Sequence, residues 1–205
     1  LEAAAESGKR VIVADRPCPL ACVADGPILE PGFESFVGRI PSPVVYGMTP
    51  GETALWLKEQ LKLTLDLRVA EMAAQRRKKN ASPDWPAWIP PSPAIRSWEC
   101  ALCFPVTVFL EALPALDHGR GTGTPFQVVG APWLDGLALG DELAGRRLPG
   151  VQFESCSYTA AVGAHQGQKV QGVRIIVEDP EAFAPVQTGI TLTEAIQDLY
   201  EAEAV

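Results

Sequence analysis

The first sixteen residues constrain the architecture more than any other stretch. Leu1 to Ser7 is rich in alanine and glutamate and reads as the end of a helix. Gly8 suits the position just past a helix C-terminus, where the backbone commonly turns left-handed. Arg10-Val11-Ile12-Val13-Ala14 follows. Its near-continuous apolar run is the pattern of a parallel strand buried on both faces. Helix, glycine, buried strand is the rhythm of an α/β sheet. Asp15 and Arg16 then fall at the carboxyl end of that strand, where open α/β sheets place ligands. The same pair, read without a ligand, braces the proline loop that follows. The residues alone leave both readings open.

Residues 16–45 read as a long proline-rich loop with one short extended piece at Phe36-Val37. Thr49-Pro50-Gly51-Glu52 then reads as a helix start. Threonine caps, proline suits the first helical position, and Glu52 closes a capping box. The helix is expected to run to Leu61. Leu63, Leu65, Leu67 and Val69 alternate with Thr64, Asp66 and Arg68, the period of a half-buried strand. Residues 81–93 hold five prolines and two tryptophans, Trp85 and Trp88. Such a loop either walls a carbohydrate cleft or plugs a domain junction. Further on, Trp98 to Cys103 reads as helical, Thr107 to Leu110 as extended and Phe126 to Val129 as a short strand. Leu137 to Ala144 reads as a short helix and Val173 to Val177 as a strand. Thr191-Leu192-Thr193-Glu194 reads as a second capping box, opening a terminal helix to Glu203 with Ala195, Ile196, Leu199 and Tyr200 on its apolar face. The expected class is α/β, with a boundary near Tyr46–Pro50: residues 1–48 as the end of a parallel sheet, residues 49–205 as a smaller α+β domain.

The apolar fraction of 47% in 205 residues is ample for a core. A net charge of −8 argues against general nucleic-acid binding. The dense basic run is Arg76-Arg77-Lys78-Lys79, read either as a solvated loop or as an anion-binding rim. No stretch of sequence reaches the length of a membrane-spanning helix. Five cysteines cannot all pair within one chain. Cys18 and Cys22 with Cys100 and Cys103 have spacings compatible with zinc, but the second pair sits in the apolar run from Trp98 to Phe109, where cysteine packs as a small hydrophobe. No metal and no cofactor are expected.

The motif with most chemistry is Gly119-Arg120-Gly121-Thr122, followed by Pro125-Phe126 and Gly130-Ala131-Pro132-Trp133. A glycine–arginine–glycine turn presents backbone N–H groups beside a guanidinium, a site suited to a carboxylate, phosphate or sugar oxygen. Trp133 offers an apolar face for a sugar ring. The plain alternative is an ordinary surface turn. Asp117-His118 beside the turn suggests acid–base work, although a histidine on a glycine-flanked turn is more often simply solvated.

In order along the chain stand Asp15-Arg16-Pro17 with Pro19, Asp25-Gly26-Pro27, Ser35-Phe36-Val37-Gly38, Gly47-Met48-Thr49 with Gly51-Glu52, and Pro91-Ser92-Pro93. Gly119 to Thr122, Gly130 to Trp133 and Pro149-Gly150-Val151 with Phe153 complete the series. The chain thereby resembles the NamZ-type exo-β-N-acetylmuramidases, glycoside hydrolases of bacterial cell-wall recycling. The resemblance makes residues 1–48 the tail of a Rossmann-like sheet. It also departs from the family. Tyr46 stands where the family has histidine, Ala94-Ile95-Arg96 where it has Asn-Met-Pro, and Ala112-Leu113-Pro114 after Glu111 where it has Gly-Thr-Asn. The spacing from Glu111 to Gly119 is off by one. No counterpart of the family's Glu-His-Gly motif, held to bear the catalytic acid, is found.

The resemblance implies a muramic-acid-containing sugar as substrate, and a periplasmic or extracellular bacterial setting. It implies Arg120 first and Arg16 second for the lactyl carboxylate, Glu111 as the candidate catalytic carboxylate, and Asp15, Thr122, Tyr46 and Trp133 as further substrate contacts. Tyrosine at 46 can hold a sugar hydroxyl but cannot replace histidine as a base near neutral pH. Two readings follow: a truncated or divergent glycoside hydrolase, expected to be inactive as this chain alone, or a non-catalytic descendant serving as a structural subunit. In the second, a partner chain would cover an exposed sheet edge.

Overall fold

The computed structural model describes residues 1–20, 23–36, 38–72 and 88–200. The basic run 76–79, Trp85, Cys22, Val37 and the end of the terminal helix expected near Glu203 lie outside the described residues. Helix α1, Glu2–Glu6, passes through Gly8 at φ 61° into strand β1, Val11–Ala14, as the opening residues imply. Burial along β1 alternates, so the expectation of a strand covered on both faces is corrected: Ile12 is 66% exposed. The physical reason is that, among the described residues, β1 belongs to a sheet of two strands, which leaves one face open.

The stretch read as loop from 16 to 45 contains an antiparallel ribbon, β2 (Asp25–Ile28) and β3 (Pro43–Val45), pairing Asp25 with Val45 and Ile28 with Pro43. Gly26, Pro27 and Pro43 disguise it, since these residues are normally depleted in strands. Helix α2, Pro50–Gln60, starts at the expected capping box: Glu52 N–H donates to Thr49 Oγ1 at 3.2 Å, and Thr49 N–H to Glu52 Oε2 at 3.0 Å. Strand β4, Leu67–Ala70, then pairs parallel with β1, Val11 opposite Leu67. β4 is shorter than the alternating pattern from Leu63 suggests; Leu65 is buried ahead of the strand.

Helix α3, Trp98–Thr107, is capped by Ser97, whose Oγ accepts from Cys100 N–H at 3.2 Å. It continues into a 3-10 turn over Val108–Ala112, so the extended piece expected at Thr107–Leu110 is corrected. β-branched Thr107 and Val108 favour strand, but the buried Thr107 hydroxyl bonds to Phe126 O at 3.1 Å and the helix is held by packing. Strand β5 (Val128–Ala131), helix α4 (Gly136–Arg146), strands β6 (Val151–Thr159) and β7 (Lys169–Val177) and helix α5 (Pro185–Leu199) complete the chain. A three-stranded antiparallel sheet has the order β5-β7-β6. Helix α5 begins at Pro185, ahead of the capping box expected at Thr191, which lies within it. Thr193 Oγ1 instead donates back to Gly189 O at 2.9 Å.

α4 packs on β6 and β7, and α3 on α5 and β7. Val129 and Val173 from the sheet, Leu139 and Leu143 from α4, and Leu192 and Ile196 from α5 are all almost fully buried in one core. The protein is therefore a mixed α/β fold, with a small parallel sheet and a separate antiparallel sheet. Among the described residues no helix is long and apolar enough to cross a membrane.

Candidate functional site

A cavity of about 690 Å³ opens beside the carboxyl end of β1. Asp15, the first residue past the strand, does not enter it. Its Oδ1 accepts from Gly51 N–H at 2.7 Å and its Oδ2 from the Thr49 hydroxyl at 3.0 Å, which ties the end of β1 to the start of α2. Arg16, the next residue, lines the cavity. Pro17 and Pro19 fix the chain on either side of Cys18. Tyr46 and Met48 come from the segment leaving β3, Pro50, Ala54 and Leu57 from α2, and Trp88 and Ile89 from the far wall. Trp88 is fixed by donation from Nε1 to Ile95 O at 3.3 Å, and by an edge-on contact with Trp98 at 6.0 Å.

The lining is largely apolar, and Arg16 brings the cation. Among the described residues its guanidinium has no ion-pair or hydrogen-bond partner. Burial pushes the Tyr46 hydroxyl above its ordinary range, with the nearby Cys18 adding to the shift, so Tyr46 is a hydrogen-bonding phenol and not a base. Burial likewise raises the Cys18 thiol, against the lowering effect of Arg16.

A second, smaller pocket of about 260 Å³ holds Glu111 and Arg120. Glu111 is carried by the 3-10 turn after α3, Arg120 by the glycine turn before β5. Asp117 and Gly130 exchange backbone hydrogen bonds at 2.8 and 2.9 Å, which anchors the turn to the sheet. Asp117 Oδ1 also accepts from Gly119 N–H at 2.8 Å. Gly119 has φ 72°, and a Cβ there would lie 2.7 Å from Thr124 O and 2.5 Å from Val128 Cγ2, so only glycine fits. Arg120 Nη1 donates to Glu111 Oε1 at 3.1 Å. The Thr122 hydroxyl is spent within the turn, donating to Gly119 O at 2.6 Å and accepting from Thr124 N–H at 3.1 Å.

The sequence candidates therefore separate. Arg16 and Tyr46 share the large cavity, and Glu111 and Arg120 share the small pocket. Trp133 lines neither: its ring meets Tyr200 at 5.3 Å and packs against the main core. The segment from Trp88 to Ile95 separates the two, with Trp88, Ile89 and Pro91 lining the larger and Ser92, Ala94 and Ile95 the smaller. His118 corrects the expectation of a solvated side chain, for only 12% of it is exposed. It lies over Phe126 at 5.4 Å, a long-range contact that nothing in the local turn sequence signals. Met48 and Ile89 were also missed, as ordinary apolar residues. Among the described residues no group of three or more His, Cys, Asp or Glu is placed to hold a metal ion.

A cationic side chain in an apolar cavity at the carboxyl end of a parallel strand is the geometry of a ligand-binding α/β protein. The family models for the N-terminal and C-terminal parts of exo-β-N-acetylmuramidase NamZ match residues 1–99 and 102–204. The peptidoglycan β-N-acetylmuramidase NamZ of Bacillus subtilis (strain 168) is 37% identical over 201 residues, covering 98% of this chain and 48% of that protein. The crystal structure of a DUF1343 family protein from Bacteroides fragilis NCTC 9343 superposes with a TM-score of 0.93 at 32% identity, over 100% of this chain and 54% of that one. A second B. fragilis DUF1343 structure gives 0.67 at 26% identity, over 98% and 52%. The chain belongs to the exo-β-N-acetylmuramidase NamZ family. It spans about half the length of the relatives it matches.

Proposed function

We propose that the protein binds terminal N-acetylmuramic acid of peptidoglycan fragments, without hydrolysing it as this chain alone, and that the Arg16 cavity recognises that sugar. The observation behind this reading is the Arg16 guanidinium, which has no ion-pair or hydrogen-bond partner among the described residues, at a largely apolar cavity. A muramic sugar differs from its neutral relatives by a lactyl carboxylate, which a guanidinium takes in a two-pronged, charge-assisted contact. Trp88 offers an apolar face to the ring and Tyr46 a hydroxyl to its oxygens. Arg16 thus takes the role first given to Arg120, whose guanidinium already serves Glu111. Glu111, held by Arg120 in the smaller pocket, we assign to binding rather than to proton donation.

The test is Arg16→Ala in the native protein, measured by titration against N-acetylmuramic acid and N-acetylglucosamine. Loss of a charge-assisted contact should weaken the acidic sugar roughly 10- to 150-fold and leave the neutral one unchanged. Equal affinity of variant and parent for the acidic sugar would remove the assignment.

A further inference from the structure

At about 690 Å³ the Arg16 cavity falls well within the roughly 300–1,000 Å³ range of small-molecule sites. Its hydrogen-bonding capacity is small for that size. Pro17, Pro19, Pro50 and Pro91 line it and bring no backbone N–H. The Thr53 hydroxyl donates to Thr49 O at 2.9 Å, the Cys18 thiol to Pro19 O at 3.1 Å and Trp88 Nε1 to Ile95 O at 3.3 Å. Among the described residues this leaves two lining side chains with uncommitted donors, the Arg16 guanidinium and the Tyr46 hydroxyl.

Much of the remaining wall is hydrocarbon, with Ala54 and Leu57 of α2 on one side and Ile89 on the other. Ile89 is 77% exposed, so it still has apolar surface to bury against a ligand. A hydroxyl taken out of water without a partner is unfavourable. A polyhydroxylated ring held at Arg16 therefore stays toward the mouth, where water serves its oxygens, and fills the rest of the cavity poorly. A methylene chain carries no such cost and gains with each group buried. Two carboxylates, Asp15 and Glu52, lie close enough to act on the Cys18 thiol. Both are engaged at the start of α2, Asp15 with Gly51 N–H and the Thr49 hydroxyl, and Glu52 with Thr49 N–H. Neither is the counter-ion of Arg16.

We propose that this cavity binds an aliphatic carboxylate, such as a free fatty-acid anion, in competition with the acidic sugar. The carboxylate meets Arg16 in a two-pronged, charge-assisted contact, with the Tyr46 hydroxyl as a further donor. The chain runs over Ala54 and Leu57 toward Ile89. Its head supplies the negative charge that the lining lacks, and its body asks for no hydrogen bond. An occupied cavity excludes the muramic sugar, so such a ligand acts as a competitive regulator of that site. This occupancy rests on Arg16 as the anion contact proposed above, not on the identity of the sugar.

The probe is dodecanoate, kept below the concentration at which it forms micelles and titrated calorimetrically into the native protein, with hexanoate alongside. A single site is expected, and each methylene added between hexanoate and dodecanoate should tighten binding roughly two- to fourfold. Arg16→Ala should weaken dodecanoate roughly tenfold or more. Ile89→Ser alters an exposed side chain, so it should fold with an unchanged melt. It should weaken dodecanoate roughly three- to tenfold and leave N-acetylmuramic acid within about twofold of the parent. N-acetylmuramic acid should raise the apparent Kd of dodecanoate in proportion to its concentration. Binding indifferent to chain length or to Arg16→Ala overturns the proposal, as does simultaneous binding of both ligands. If dodecanoate binds and N-acetylmuramic acid does not, the sugar reading fails and the aliphatic one stands; the reverse result sinks the aliphatic ligand alone.

Discussion

Replacing Asp15 by alanine would remove two contacts at the hinge between β1 and α2. Its carboxylate accepts from Gly51 N–H at 2.7 Å and from the Thr49 hydroxyl at 3.0 Å. A hydrogen bond to a charged group contributes about 1.5–3 kcal/mol, and a carboxylate at a helix N-terminus adds roughly 0.3–1 kcal/mol. Asp15 is only half-buried and the Thr49 cap on Glu52 survives its loss, so the lower ends apply. The expected cost is about 2–3 kcal/mol. Urea unfolding should show a lower midpoint with an unchanged slope. Asp15→Asn keeps a neutral acceptor and should cost roughly half as much. Gly51→Ala supplies an independent check. Its Cβ would lie 2.7 Å from Asp15 Cγ and 2.7 Å from Val69 Cγ1, so it should destabilise despite the better helix propensity of alanine. On an Asp15→Ala background the same change should cost less, because one of the two clashing groups is gone. If Asp15→Ala stayed within about 0.5 kcal/mol of the parent, the range of ordinary surface substitutions, the brace would be refuted.

Two further outcomes follow from the packing. Burial holds His118 below its ordinary value of 6.5, an effect Arg120 reinforces and Asp117 and Glu111 oppose. The unfolded chain therefore takes the proton first, and stability should be full above about pH 6.5 and fall as pH drops from there toward the folded value. His118→Phe, which keeps the ring on Phe126, should flatten that part of a stability-against-pH curve; an identical slope would contradict the burial argument. Gly172→Ala would put a Cβ 1.8 Å from Val129 O and 2.6 Å from Gly130 Cα, both backbone. It should cost about 3 kcal/mol or more and sharply lower the melting temperature, and a parent-like melt would show that the β5–β7 approach is looser than described.

What the sequence revealed depended on whether the deciding interaction was local. The Thr49 capping box is complete within four residues, and the structure contains both of its hydrogen bonds. The Leu137–Ala144 helix and the Val173–Val177 strand have strong apolar patterns and lie within α4 and β7. The start of α5 was misread because a locally valid box at Thr191 lies inside a helix that begins at Pro185. The β2–β3 ribbon was hidden by glycine and proline, residues whose place in a strand is settled by its partner. For the site, residue chemistry singled out Arg16, Tyr46, Glu111 and Arg120. It did not show that they divide between two pockets, nor that His118 is buried, because both facts depend on contacts between distant segments.

The N-terminal residue of α5's first turn has no cap of its own kind: Ala184 provides no side-chain hydrogen bond. The acceptor comes from across the molecule, where Asp25 Oδ2 takes the N–H of Val186 at 2.7 Å and that of Gln187 at 3.4 Å. The carboxylate at the head of β2 thus terminates a helix 161 positions further along the chain. The two family models part between residues 99 and 102, yet this bond runs across that division. A fragment beginning at residue 102 would lose the side-chain cap of α5, and one ending at residue 99 would leave Asp25 without the helix it caps. The two matched parts of the chain are therefore joined by a helix cap as well as by the peptide backbone.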